Sequence, residues 1–304
     1  MQVSVARLPL SAAGLVVLVA AAVAGCSPST SSSGASASAG ASGSASTAPG
    51  NALDAVKLAA KTSSSANSFT GTMDLQSTIK PGAASSSASA GAVSMSATFA
   101  EQVHPSPVAS VNIASLSSAG MSVPGGLAEI VTTSTLYLKW SYLTQMLHLS
   151  KPWLAIPLSS LSQSGGVNLS QILSQATGSG PLAQSQLLQG ATSVRQVGTG
   201  SLDGVPVTEY TGTLLLDKGL SYLSGAAKAQ LQQAMASAGF TEMTFTVWID
   251  GQHTVRKAVD TETGKDVTET ITTTITSINQ PVNIAVPTAS QTSPLLGGDL
   301  GGLS

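Results

Sequence analysis

The sequence predicts an α+β fold: a wide, curved antiparallel sheet, open like a half-barrel, with helices packed on its concave apolar face. Three observations predict it. Several segments alternate apolar and polar residues with a period of two, which is typical of strands with one buried face. Turn pairs such as Asp203-Gly204 and Asp250-Gly251 join consecutive segments into hairpins. Two further segments have apolar residues at helical spacing, and such helices can cover the apolar face of the sheet.

The first 26 residues are typical of a bacterial secretory signal. Arg7 precedes an apolar run over residues 12–25, which is shorter than the about 20 residues that a transmembrane helix needs. The run ends in Val23-Ala24-Gly25-Cys26, which resembles a lipobox, the motif whose cleavage leaves an acylated cysteine at the mature N-terminus. We therefore expect Cys26 to be the lipid anchor, carrying palmitate-type chains, on the outer face of the cell membrane. The alternative is an ordinary signal peptide cut nearby, which leaves the only cysteine without a role.

Composition divides the rest of the chain into three parts. Residues 26–50 are the acylated cysteine and a Ser/Ala/Gly-rich segment without large apolar side chains, which predicts a flexible tether. About 24 flexible residues reach on the order of 25–30 Å. Residues 51–288 are predicted to form a single α+β domain, and residues 289–304 a disordered tail. With Cys26 acylated, no thiol is left for a disulfide, and the core alone holds the fold.

The domain opens with a helix and continues in strands. Asn51 is a suitable N-cap for a helix that ends near Ala66, with Asp54 in its first turn. From Phe69 onward the apolar period changes from helical spacing to two. The strands predicted in this half are 69–76, 93–100, 108–116, 127–132 and 135–140.

The middle and the end of the domain differ in pattern. Residues 142–189 are rich in Leu, Gln and Ser at mixed helical spacing, which predicts short helices broken at prolines. A longer helix is predicted over residues 217–238, because Gly239 follows as a stop signal. The strands predicted in this half are 193–202, 205–216, 241–250, 255–261 and 267–278, the last three forming an antiparallel meander.

One face of this sheet carries aliphatic and aromatic side chains from both ends of the chain. These side chains are either ordinary core under the helices or the lining of a ligand cavity, because the sequence does not show how much of the face the helices cover. The candidate lining residues are Phe69, Met73, Leu75, Met95, Phe99, Met243, Phe245, Val247, Ile249, Ile271 and Ile275. For the neighbouring Arg256 and Lys257, a headgroup clamp and a solvated pair are both open, and alternation favours the solvated pair.

Composition and spacing argue against nucleic-acid binding and against catalysis. The chain has 12 Lys and Arg against 14 Asp and Glu, so it lacks the basic surplus that contacts phosphates. His104, His148 and His253 are isolated, without metal-ligand spacing. Residues 260–266 are acidic like a calcium loop but lack its closing Glu, which favours a hairpin turn. We therefore predict that the protein is not an enzyme and holds no metal or cofactor.

Several segments resemble the LppX/LprG lipoproteins of actinobacteria, whose fold is similar to that of the periplasmic lipoprotein carrier LolA. They are a Gly-Val strand ending in Tyr (Asp203 to Gly212), a Trp-x-Asp hairpin with a basic pair (Val247 to Lys257), the closing segment (Ile278 to Pro287) and a tryptophan segment (Lys151 to Ile156). The resemblance covers most of residues 51–287. It implies that a lipid with two or three acyl chains binds between the concave face and the helices, and that the protein moves lipids in the envelope.

These features together predict a membrane-anchored extracytoplasmic lipoprotein. We expect it to bind and carry or present a lipid, a glycolipid or another apolar ligand, and to be a monomer whose other partner is the membrane. The alternative is a structural or sensory envelope lipoprotein whose core is filled and which binds a protein or polymer. The size of any space between sheet and helices separates the two hypotheses.

Overall fold

The computed structural model describes residues 52–80, 91–118, 121–123, 126–146, 148–158, 181–223 and 225–294. The predicted signal sequence, Cys26 and the tether therefore lie outside the described residues, as do residues 295–304 of the predicted tail. Within the described residues, no helix is both long and apolar enough to cross a membrane.

The described chain forms thirteen strands and five α-helices. The strands are β1 (Ser68–Ile79), β2 (Gly91–Gln102), β3 (Val108–Ser118), β4 (Met121–Val123), β5 (Leu127–Thr132), β6 (Thr135–Lys139), β7 (Trp153–Pro157), β8 (Ala191–Leu202), β9 (Val205–Leu215), β10 (Glu242–Asp250), β11 (Val255–Thr263), β12 (Val267–Ile278) and β13 (Thr292–Pro294). The helices are α1 (Ala52–Ser64), α2 (Ser141–Met146), α3 (Pro181–Leu187), α4 (Leu216–Gly219) and α5 (Gly225–Ala238).

The strands make one sheet in the order β13-β7-β6-β5-β3-β2-β1-β12-β11-β10-β9-β8, with β4 paired to β3 beside this path. All pairs are antiparallel except β13 and β7, which are parallel. The first and the twelfth strands meet at the centre, where Leu75 lies opposite Ile271. The predicted wide antiparallel sheet with helices is confirmed, and it is open because β13 and β8 are separate edges.

Local sequence explains how the sheet acquires one buried face. In β1, Met73 and Leu75 are buried while Asp74 and Gln76, which alternate with them, are exposed, as a period of two requires. The hairpin between β8 and β9 turns at Asp203-Gly204, where both residues have positive φ (48° and 80°), the conformation of a type I′ turn. This turn sets the register that brings Leu202 opposite Val205.

The described helices lie over only part of the buried face. Helix α1 has Asp54 in its first turn, where a negative charge favours the helix dipole, and buries Val56, Ala59, Ala60 and Ser63 on one side. That side contacts α3 and the strands β8, β10 and β11. The small alanines allow the helix to approach the sheet closely, so this part of the face is a packed core.

Two clusters of buried apolar residues lie on the same sheet. The helix-covered cluster joins α1, α3 and α4 to β8–β11, and its members include Val56, Leu187, Leu214, Leu216, Tyr210, Met243, Phe245, Val247 and Ile249. The β1–β3 cluster comprises Ala66, Phe69, Met73, Leu75, Met95, Ala97, Phe99, Val111 and Ile113. Partly buried isoleucines at positions 271, 275 and 278 of β12 border the second cluster, so β12 lies where the two clusters meet.

Three segments differ from the sequence prediction. Residues 153–157, expected among short helices, form β7, in which Leu154 and Ile156 are buried. The helix predicted over residues 217–238 is interrupted, because Leu223 is extended (φ −94°, ψ 153°) after a 3₁₀ turn and is buried. Residues 289–294, expected in the tail, belong to the fold: β13 pairs with β7 and Gln291 accepts a hydrogen bond from the Trp153 N–H.

Candidate ligand-binding site

Two adjoining clefts lie between the helices and the centre of the sheet. The larger one, the apolar cleft, occupies about 500 Å³ when its open side is included. It lies where the two apolar clusters meet, under the C-terminal end of α1 and under α3. Its lining residues are Ser63, Ala66, Phe69, Gln184, Ser185, Leu188, Val255, Ala258, Asp260, Thr273, Ile275 and Ile278.

The enclosed part of the apolar cleft is narrow. Its cavity volume is about 30 Å³, room for about two water molecules. One polar contact between α3 and the sheet crosses it: the Thr273 hydroxyl donates a hydrogen bond to Gln184 Oε1 at 3.1 Å. A ligand larger than a few atoms therefore fits only if α3 moves away from the sheet.

The second cleft, the acidic cleft, shares Gln184 and Asp260 with the first. It occupies about 270 Å³ when its open side is included. Its lining residues are Gln184, Leu187, Met243, Asp260, Glu262, Glu269 and Ile271. Asp260 and Glu262 are two positions apart on β11 and thus share a face, and Glu269 of β12 lies directly opposite Glu262.

The carboxyl groups of the acidic cleft are in an unusual electrostatic environment. Asp260 is 4% exposed, and its strand neighbours are Phe245 on β10 and Ile271 on β12. Burial raises the pKa of Asp260 to about 7. Burial, together with the charges of Glu269 and Asp260, raises the pKa of Glu262 to about 8, and burial also raises the pKa of Glu269. All three carboxyls thus hold their protons to a higher pH than ordinary acidic side chains.

The candidate lining residues are distributed over these features. Phe69 and Ile275 line the apolar cleft, and Met243 and Ile271 line the acidic cleft. The others are packed in the two clusters on the same face, away from both linings: Met73, Leu75, Met95 and Phe99 in the β1–β3 cluster, and Phe245, Val247 and Ile249 in the helix-covered cluster. Whether any of them contacts a ligand stays a prediction.

Sequence reasoning missed the three carboxyls. Residues 260–266 were expected to form a turn, yet β11 continues to Thr263 and the turn is confined to the following residues, where the Gly264 N–H donates to the Val267 carbonyl. The alternation of Ala258, Asp260 and Glu262 is the signal that could have placed the acids on the buried face. The register that sets Glu262 against Glu269 could not be derived from either strand alone.

The basic pair next to this hairpin lies outside both linings. Arg256 Nε is 2.9 Å from Asp250 Oδ2, and the Lys257 ammonium lies 4.9 Å from the centre of the Trp248 ring. Burial acts to raise the pKa of Asp250, but hydrogen bonds from Thr254 and Gln252 and the charge of Arg256 lower it overall. Both basic residues therefore have structural partners in the hairpin. Within the described residues, no group of His, Cys, Asp and Glu has the geometry to hold a metal ion.

Comparison with known proteins finds similarity at the level of solved structures. No protein-family model and no curated protein matches the sequence. The chain is similar to the lipoprotein LppX of Mycobacterium tuberculosis (18% identity, TM-score 0.44, covering 78% of this chain and 100% of that one) and to LprF of Mycobacterium bovis (13%, 0.45, 78% and 97%). It is also similar to a putative outer membrane lipoprotein-sorting protein domain from Vibrio parahaemolyticus (8%, 0.28, 78% and 95%).

Proposed function

We propose that this protein is a membrane-anchored extracytoplasmic lipoprotein that binds and carries or presents a lipid, a glycolipid or another apolar ligand in the cell envelope. The apolar cleft is the observation that carries this proposal. It is lined mainly by apolar side chains with a few polar groups, the composition typical of small-molecule sites. Anchoring through Cys26 on the outer face of the cell membrane is part of the proposal and rests on the lipobox.

Ligand entry under this proposal requires α3 to separate from the sheet. Helix α3 has seven residues, too few to be stable without tertiary contacts. It is held by its packing on α1, by the burial of Leu187 and by the Gln184–Thr273 hydrogen bond. Such a short element opens at lower cost than the long strands of the sheet. The ligand would then occupy the space between α3 and the cleft residues Ile275 and Phe69.

The narrowness of the enclosed space favours a second candidate function. If α3 stays in place, the core is filled, and the protein is a structural or sensory envelope lipoprotein that binds a protein or polymer on its outer face. Neither candidate is an enzyme. The residues that line the acidic cleft include no Ser, Cys, His or Lys.

Binding measurements on soluble protein of residues 51–294 separate the two candidates. The carrier function predicts co-purified lipid by native mass spectrometry and saturable binding of a fluorescent acyl probe. Ala258→Leu extends a side chain into the apolar cleft and should weaken probe binding at least tenfold. Thr261→Leu adds a side chain of the same size on the opposite face of β11 and should leave binding unchanged. Neither lipid nor probe binding in the parent protein would support the filled core.

The anchor is tested separately. Cys26→Ala should release the protein from membranes or leave it unprocessed, because two or more acyl chains supply durable attachment. Fractionation in detergent-free buffer, followed by a carbonate wash, measures this. A variant that stays with the membrane would place the anchor elsewhere in the chain.

A further inference from the structure

The acidic cleft brings together three acidic side chains without a described counter-charge. Among the residues that line it, Asp260, Glu262 and Glu269 are acidic and none is basic. Glu262 and Glu269 lie directly opposite each other on neighbouring strands, an arrangement that is destabilising when both are charged. The remaining lining is neutral or apolar, with the amide of Gln184 on α3. A positive group placed in the cleft would remove this repulsion.

A second observation concerns the hydrogen bonding of Asp260. The residue is 4% exposed and lines both clefts. Within the described part of the chain, its Oδ1 atom accepts no hydrogen bond. The great majority of buried polar side-chain atoms in native proteins have a partner, so an exception needs an explanation. A hydrogen-bond donor that arrives with a ligand provides one.

The position of Asp260 links this donor to an apolar group. Asp260 and Gln184 lie between the two clefts and line both. A molecule whose apolar part occupies the apolar cleft therefore presents its polar end to Asp260. On the far side of Asp260 that end meets Glu262 and Glu269.

We propose that the two clefts form one site for a cationic amphiphile, whose apolar group enters the apolar cleft and whose protonated amine binds Asp260, Glu262 and Glu269. The inference rests on the proposed function and specifies the chemistry of its ligand. An ammonium group offers three N–H donors and a positive charge. It satisfies the Asp260 oxygen and separates the two opposed glutamates. A hydroxyl supplies one donor and no charge, and a carboxylate adds repulsion.

Calorimetric titration with probes of equal chain length tests the proposal. The probes are octylamine, octanol and octanoate, together with ethylamine, which has the charge but little apolar surface. Octylamine should bind at least tenfold more tightly than octanol, and octanoate and ethylamine should bind more weakly than octanol. Equal binding of octylamine and octanol overturns the amine site but leaves the apolar ligand in place. If none of the eight-carbon probes binds, both this proposal and the proposed function are overturned. If ethylamine binds as tightly as octylamine, the apolar group contributes nothing, which overturns the proposal that the ligand is an amphiphile.

Charge-neutral variants identify the residues responsible. Asp260→Asn, and separately the double change Glu262→Gln with Glu269→Gln, should each remove the preference for octylamine over octanol. Glu242→Gln, at the exposed start of β10, is the matched control and should retain the preference. Circular dichroism shows that each variant is folded, and the double variant keeps the test valid if Asp260→Asn unfolds. A preference for octylamine that survives in both carboxyl variants overturns the proposal.

The pH dependence gives a second readout. The groups that face Asp260 are Glu262 on its own strand and Glu269 on β12, while Phe245 of β10 and Gln184 of α3 are uncharged. The amine stays protonated through pH 9 because its pKa is near that of lysine, about 10.4. Octylamine affinity should therefore rise several-fold from pH 6 to pH 9 as the carboxyls ionise, whereas octanol affinity should not. A flat octylamine profile overturns the assignment to these carboxyls.

Discussion

In each of the two apolar clusters, a phenylalanine ring packs over a glycine of the neighbouring strand. The residues and helices around the two rings differ. Phe99 of β2 lies over Gly71 of β1, and Phe245 of β10 lies over Gly212 of β9. In both places a side chain on the glycine would come within 2.6 Å of the phenylalanine ring and 2.2 Å of a carbonyl oxygen on the neighbouring strand. A glycine opposite an aromatic residue thus makes room for the ring on the sheet.

What differs is the cover over each ring. Phe245 is 2% exposed in the cluster that α1, α3 and α4 cover. Phe99 is 7% exposed and packs edge-to-face against Phe69 (6.0 Å between ring centres, 72° between planes), and Phe69 lines the apolar cleft. The same face therefore acts as packed core in one half and borders a cleft in the other. The position of the helices, and not the residue type on the strands, decides between packed core and cleft.

The largest expected effect compares these two phenylalanines. Phe245→Ala should lower the free energy of unfolding by about 3–5 kcal/mol, because it leaves a cavity in a packed core. Phe99→Ala should cost no more than about 3 kcal/mol, since Phe69 can move into the space beside the cleft. Denaturant melts of both variants measure the difference. Equal losses would mean that the two halves are packed alike.

The second-largest expected effect concerns Asp260, which lies between the two clusters. It is measured as the pH dependence of the free energy of unfolding. The pKa of Asp260 is about 7 in the folded chain and about 3.9 when unfolded. The folded state therefore binds more protons between these values, and stability should fall as pH rises from 5 to 8, by on the order of 2–4 kcal/mol from this residue. Asp260→Asn should remove this part of the pH dependence of the urea midpoints and leave the part due to Glu262 and Glu269, whereas Glu242→Gln should leave the whole profile unchanged. A parent profile that rises over this range would contradict the burial of a neutral Asp260.

Smaller effects are expected at the two glycines under the phenylalanine rings. Alanine substitutions there test whether the two halves of the sheet tolerate an added methyl group equally. Gly71→Ala and Gly212→Ala should each cost about 1–3 kcal/mol, because the new methyl group overlaps a backbone carbonyl and a ring. Gly200→Ala is the control, since a methyl group there meets no atom within 4 Å. Thermal melts of the three variants suffice. Sensitivity at Gly212 alone would show that β1 adjusts where β9 does not.

The smallest expected effect concerns the tether. If residues 27–50 bury no surface against either half, deleting them from soluble protein should leave the melting temperature nearly unchanged. A drop of more than about 5 °C, on the order of 1–2 kcal/mol for a domain of this size, would mean that the tether packs on the domain. In that case residues 27–50 would have to be counted among the segments that cover the two clusters.

Most strands could be predicted from the sequence because their signal is local. Alternation located the ends of β2, β3 and β10 to within two residues, the usual uncertainty of element ends, and those of β1 to within three. Five-residue β7 was missed because a short apolar run such as Leu154 to Ile156 does not distinguish strand from buried helix. The break at Leu223 was missed for a related reason: its burial is a tertiary effect that overrides the helical spacing around it.

The site was less predictable than the fold because it depends on which strands become neighbours. The predicted meander places β12 next to β11, but nothing in the sequence of β12 shows that its other neighbour is β1, which is what places Ile275 and Thr273 beside Phe69. The apolar face was predicted, as were short helices within residues 142–189, but not that one of them, α3, lies over the cleft and narrows it. The grouping of Asp260, Glu262 and Glu269 could be recognised only from the register between β11 and β12.

The pairing of β1 with β12 also has a consequence for how the chain folds. Phe69 pairs with Ile278, so the two halves of the sheet are joined across most of the length of the domain. Closing so long a loop is entropically costly and slow, and topologies dominated by such distant contacts fold in milliseconds to seconds or longer. During synthesis from the N-terminus, β1 has an unpaired edge until the last long strand is available. The apolar β1–β3 face is therefore an aggregation hazard in any chain that ends before residue 267, and we expect the protein to depend on its final strands for solubility.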